Sequence, residues 1–291
     1  QVFDANGTLP LTSKTVSFTV DGANVIDSDV TDSNGFYTLS GAVMSGGDII
    51  TLFLDGEAEK SVTVLIGSGG SMTGITLYEN HLIIRSETGA IAVTNAHITT
   101  ADNGDSDIDS IITAATAGAL TLSGASTLRV WTGSTFQPGG TVAANHVTIP
   151  GAFAMEANAV SVTGDWTVMN GSVSGTNTVT FSGSGINDIT SAGTSFNNII
   201  FDNAAGSWSL QDAMDVNGSF TLSNGLFNQG TQALNVAGNT VIATGTTFTK
   251  ASDGSAFTLD GDLRFEDQTN ANLGNLYVGT SSDTTTLASD I

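Results

Sequence analysis

Apolar and polar residues alternate one by one along most of this chain, in short runs broken by glycine, asparagine, serine and aspartate. The clearest run is "KTVSFTV" (14–20), which places Val16, Phe18 and Val20 on one face and Thr15, Ser17 and Thr19 on the other. "FYTLSG" (36–41), "DIITLFLD" (48–55) and "KSVTVLI" (60–66) follow in the same style. A period of two over such lengths predicts half-buried β-strands. The turn residues between them, such as "SNG" at 33–35, accept the positive φ that tight turns need. "GSGGS" (67–71) reads as a linker, because no Lys-Ser/Thr pair or helix follows it as a phosphate loop would require.

Beyond residue 79 the runs shorten to about 3–6 residues, one every 7–12 residues or so, and no segment is periodic enough for a crossover helix. "HLIIRSETGAIAVTNAHI" still reads as strand, and "TTADNGDSDIDS" (99–110) as a polar loop. Internal similarity is visible: "AVSVTG" (159–164) with "ALNVAG" (233–238), "TVTFSG" (178–183) with "AFTLDG" (256–261), "FNNIIF" (196–201) with "LGNLYV" (273–278), and Leu210 with Leu287. The offsets lie near 77 residues and predict a super-repeat over about 159–232 and 233–291, the second copy truncated. Strands this short cannot bury a face alone, whereas stacked rungs share one core, so a β-solenoid of parallel β-helix type is expected over 79–291 in preference to small sandwich repeats.

Composition narrows the chemistry. There are 28 acidic and 6 basic residues, a formal net charge of -22, which disfavours nucleic acid and anionic membranes as partners. Cysteine is absent, excluding disulfides, thiol catalysis and cysteine-held zinc. No apolar run is long enough to span a bilayer, so no direct membrane insertion is expected of this segment. There is no signal peptide at Gln1 and no closing feature at the C-terminus, and both ends read as cut from something longer, which leaves room for a signal or anchor outside this segment.

The N-terminal strands carry a resemblance. "SKTVSFTVDG", "TDSNGFYTLSG", "GGDIITLFLDG" and "KSVTVLI" together resemble the Ig-like, transthyretin-like modules related to carboxypeptidase regulatory domains and collagen-adhesin B repeats, with Thr31, Asp32, Gly35 and Tyr37 matching their turn–strand signature. The resemblance implies an Ig-like β-sandwich over residues 1–78, used as a spacer or stalk unit. Some members of the adhesin group form a Lys–Asn isopeptide bond beside a buried acid; Lys14, Asn80 and Glu57 or Glu59 are the residues here that would form it. "TSFNNIIFDNAAGSWSLQDAMDVNGSFTLSNGLFNQGTQALNVAGN" and "LRVWTGSTFQPGG" are similar to long repetitive bacterial surface proteins, which implies location and architecture more than activity.

Candidate sites are few. Asp105, Asp107 and Asp109 have D-x-D-x-D spacing with Asp102 close by, a pattern able to offer several oxygens to Ca²⁺. Ser110 at the sixth position and Thr116 at the twelfth rule out an EF-hand, and a solvated loop is the plain alternative. Asp27, Asp29 and Asp32 form a second acidic group. His81, His97 and His146 lack metal spacing. Trp131, Trp166 and Trp208 are candidates for stacking on sugars, or for filling a core. No nucleophile elbow and no singled-out carboxylate pair is present, and Arg85, Arg129 and Arg264 sit in separate segments, so no enzyme is expected.

The expectation is an all-β chain, an Ig-like sandwich followed by a β-solenoid, acting as an extracellular or cell-surface structural protein. It would associate head-to-tail with copies of itself, with strand addition from "QVFDANGTLPL" as the route. The alternatives are an adhesin for glycans or another cell surface and, further off, a polysaccharide-degrading β-helix.

Overall fold

The computed structural model describes residues 1–251, 256–265, 275–276 and 285–287. The fold is all-β, with 50% strand and 4% helix, and a β-solenoid of about 10 turns runs over residues 62–264. The chain divides into two compact units, Gln1–Ala154 and Met155–Ile291.

The first unit begins with β1 (Val2–Phe3), β2 (Thr15–Val20), β3 (Asp27–Val30), β4 (Gly46–Leu54), β5 (Val62–Ser68), β6 (Leu77–Tyr78) and β7 (His81–Ser86). Strand β2 pairs antiparallel with β3 and β4, and β4 with β5, as the alternation predicts. One face of this sheet buries Val16, Phe18, Ile50, Leu52, Leu54 and Leu65 together with Val2 and Leu77 of the parallel pair β1–β6. Strand β5 then pairs parallel with β7, Val62 facing Leu82 and Val64 facing Ile84. The strand pairing therefore leaves no boundary at residue 78: the antiparallel sheet continues directly into the solenoid. "GSGGS" is not wholly linker either, since Gly67 and Ser68 end β5 and Ser68 pairs with Gly46.

Two sequence expectations fail here for local reasons. Residues 36–41 form no strand. Their amides are taken by side chains: Asp32 accepts from Phe36 N at 2.9 Å, Asp29 from Thr38 N at 2.7 Å and Asp27 from Ser40 N at 2.7 Å. Asp27 and Asp29 on β3, with Asp32 just beyond it, thus replace a backbone ladder. The 95–109 region is helical, with α1 (Asn95–Ala101) and α2 (Ser106–Asp109). Thr94 and His97 close a reciprocal capping box, and Asn95, Ile98 and Ala101, three apart, bury one face. Thr51 on β4 donates to the Ala101 carbonyl at 3.1 Å, seating α1 against the sheet.

The chain then forms β8 (Ile112–Thr116), β9 (Ala119–Leu122), β10 (Thr127–Val130), β11 (Thr135–Phe136), β12 (Thr141–Ala144), β13 (His146–Ile149) and β14 (Ala152–Glu156). The coil resumes at β9, which pairs parallel with β12; β10 pairs parallel with β7 and β13, and β11 stacks under β14 with Phe136 on Phe153.

In the second unit each coil contributes three short strands, one per face. On the first face Val179 pairs with Ile199, Ile199 with Phe220 and Phe220 with Thr240, steps of 20, 21 and 20 residues. On the second, Trp208 pairs with Phe227 and Phe227 with Phe248; on the third, Met214 pairs with Leu234 and Leu234 with Phe257. The structural period is this coil of about 20 residues, not 77. The longer offset joins unlike faces: Val160 lies on the first and Leu234 on the third, and Leu210 lies on the second and Leu287 on the third. Most of "LGNLYV" (273–278) lies outside the described residues; Asn275 and Leu276 pair with Thr247 and Phe248.

The interior is filled by aromatic rings passing from coil to coil. Phe201 lies 5.3 Å from Phe181, 5.1 Å from Trp208 and 4.9 Å from Phe227, and Phe248 lies 4.9 Å from Phe257. Such pairs add to the area buried. Outside, side chains bridge successive coils: Asn198 accepts from Ser219 N, Asn224 donates to Asp202, and Asn235 donates to Asp215.

Candidate functional site

Asp102 and Asp109 lie side by side, but the four aspartates of the 102–109 segment do not converge as a set. Asp102 accepts from Gly104 N, and Asp105 caps α2 through Asp107 N. Asp107 pairs with Lys60 and accepts from Gly56 N at 2.5 Å, tying α2 to the β4–β5 turn. Burial pushes the Asp107 carboxyl up, but Lys60 and Gly56 outweigh it and hold it below its usual range. Asp109 is raised by its partial burial and by Asp102 nearby. No three His, Cys, Asp or Glu side chains among the described residues are grouped to hold a metal. The D-x-D-x-D spacing suggested a common direction, but a helical turn sends successive side chains about 100° apart. Asp27, Asp29 and Asp32 spend their oxygens on the 34–40 backbone, and the Ser40 amide first among its causes holds Asp27 ionised below the ordinary range.

Lys14 is paired with Glu59 at 2.5 Å and Glu57 at 3.5 Å, and Glu57 also accepts from Thr15 N. Asn80 takes no part; its amide bonds Lys60 O and its φ of 57° places it in a turn. The residues required for an isopeptide bond are thus not brought together as a set. Trp166 and Trp208 are completely buried and unavailable to a sugar, whereas Trp131 is partly exposed. The histidines stand apart in role. His81 is buried against the Glu79 carbonyl, His97 closes the α1 cap, and His146 sits on β13. The N-terminal segment is already spoken for: Val2 and Phe3 pair with Leu77 and Tyr78, so it is no free strand for donation to another copy.

Coil stacking assembles one group that the linear sequence scatters. Pairing of β7 with β10 sets Arg129 beside Ile83, on the outward face that also carries His81 and Arg85. Tyr78 from β6 and Phe3 from β1 stand over this face, stacked at 5.7 Å. Arg129 lies 5.1 Å from the Tyr78 ring and 5.9 Å from Trp131; Arg85 lies 5.7 Å from Trp131, and Tyr78 lies 6.4 Å from it. The two arginines differ in their partners. Arg85 pairs with Glu87 and donates to Gly74 O and Thr73 O. Among the described residues Arg129 has no acidic partner and its buried Nε meets no acceptor. Two of the three arginines therefore meet, although 44 residues separate them. The sequence hides this because α1, α2 and β8 are inserted into a single coil between Val93, which bridges to Phe136, and β9, which pairs with β12.

No known protein family, curated protein or solved structure matches this chain.

Proposed function

We propose that this chain is an extracellular structural module, a spacer in a bacterial surface layer, stalk or filament, and not an enzyme. The observation carrying the reading is the interior: coil after coil is filled by interlocking Phe, Trp, Val, Leu and Ile side chains, with hydrogen bonds linking each coil to the next. In a stack of this kind, stability is a sum of coil and neighbour terms, which suits a part that transmits tension along its length. The dense glycine, serine, threonine and asparagine turns and the lack of cysteine fit a surface protein of this type.

The geometry favours a spacer over a self-polymerising unit at the N-terminal side. The "QVFDANGTLPL" segment is committed to β6, and β3, the strand at the end of the antiparallel sheet, carries Asp27 and Asp29. Inward-aimed or edge charges are a common device against edge-to-edge pairing. Sedimentation velocity across a wide concentration range tests this. A single species independent of concentration is expected. Concentration-dependent fibres would restore the polymerising reading, and release of reducing ends from polysaccharides would overturn the structural one.

A further inference from the structure

Arg129 poses a question that packing does not answer. In a chain with 28 acidic and 6 basic residues, each cation has abundant potential partners. Lys14, Lys60 and Arg85 all take carboxylates. Among the described residues Arg129 takes none, although it is half-buried with its Nε out of solvent and desolvation lowers its proton affinity. Burying a guanidinium without an acceptor is costly, and a buried donor left unmatched in a native structure calls for an explanation.

Its surroundings supply one. Tyr78 and Trp131 hold the guanidinium by cation–π contact, which fixes its plane without consuming its N–H donors. The floor is the outward face of β7, β10 and β13, where Thr127 pairs with His81 and His146, and Arg129 with Ile83 and Thr148. Tyr78 and Phe3 form a wall at one side, and Trp131, Arg129, His146 and Thr148 are all partly open to solvent. Gly7 is required behind the wall, since a Cβ there would come within 2.8 Å of the Tyr78 ring.

We propose that this face binds a carboxylated sugar ring, the carboxylate received by the Arg129 guanidinium and the apolar ring face laid against the partly exposed Trp131. A planar fork with free N–H groups matches a carboxylate in bidentate fashion. The flat ring of Trp131 matches the C–H face of a pyranose and offers nothing to a phosphate. Long polyanions and acidic protein segments are disfavoured by the charge of -22, whereas a single carboxylate feels mainly the local charge, because others are screened beyond about 8 Å at physiological ionic strength. Locally Arg85 is offset by Glu87, and Arg129 is not offset.

The test is a tryptophan-fluorescence titration of the whole chain with methyl glucuronide, methyl glucoside and acetate. Trp166 and Trp208 are fully buried, so Trp131 reports binding. Methyl glucuronide is expected to change the emission saturably, with methyl glucoside about tenfold weaker for want of the charge-assisted bonds. Acetate at the same concentrations is expected to leave it unchanged. Arg129→Gln should bring the two glycosides to equal affinity, and Arg129→Lys, which keeps the charge and spares the fold, should lose most of the preference. Absence of any saturable response, an equal response to acetate, or an unchanged preference in Arg129→Lys would overturn the site and leave Arg129 as a purely internal cation–π element.

Discussion

His81 is held neutral by its surroundings. Burial first, then the Arg129 and His146 charges, lower its pKa from 6.5 to about 4, against the opposing pull of the Glu79 carbonyl. The folded state therefore resists protonating a group that the unfolded chain protonates freely. Its contribution is complete above pH 6.5 and is lost as pH falls toward 4, the loss levelling off below that. The size is at most about 3 kcal/mol. Thermal midpoints measured from pH 7 to pH 4 should fall for the native chain and fall less steeply for His81→Gln; parallel curves would mean that His81 is not the group responsible. The arginines beside His81 are joined by the fold and not by the sequence. Their identities were plain in the sequence, but adjacency across coils depends on knowing which segment is inserted, and nothing local to Arg85 or Arg129 announces it.

At the level of elements, glycine decides how closely the coils approach. Gly218, Gly238 and Gly261 follow third-face strands and stack, and a Cβ on Gly238 would sit 2.4 Å from the Gly218 carbonyl oxygen. Gly238→Ala should cost about 1–3 kcal/mol through overpacking, seen as a lowered denaturant midpoint. Gly124→Ala, where a Cβ meets nothing within 4 Å, is the control and should change little. Equal effects would argue that the coil spacing is not set there. The same glycines explain the mistaken period. "AVSVTG" and "ALNVAG" share an apolar-x-apolar-x-Gly pattern because the same strand-and-corner geometry recurs after a first-face strand and after a third-face one. Alternation was therefore enough to find the strands and the solenoid, but not to assign strands to faces. It also mispredicted 36–41, where the partners are Asp27, Asp29 and Asp32 side chains, and it missed α1, whose signal lay in Thr94, His97 and the spacing of Ile98 and Ala101.

At the scale of the whole molecule, the N-terminal antiparallel sheet is joined to the β-solenoid through β5 and β7 rather than standing before it as a separate module. The candidate Ca²⁺ loop and the isopeptide set were legible as residue types, yet the fold uses their charges as ties, Asp107 to Lys60 and Lys14 to Glu57 and Glu59. The most direct measurement is single-molecule extension of the chain held near residues 1 and 265. With coils of about 20 residues, the account predicts release in steps of roughly 70 Å of contour length each, at about 3.5 Å per extended residue, and no early, independent step from residues 1–78. A separate low-force event releasing that N-terminal length, followed by collapse of the remainder in one step, would contradict it.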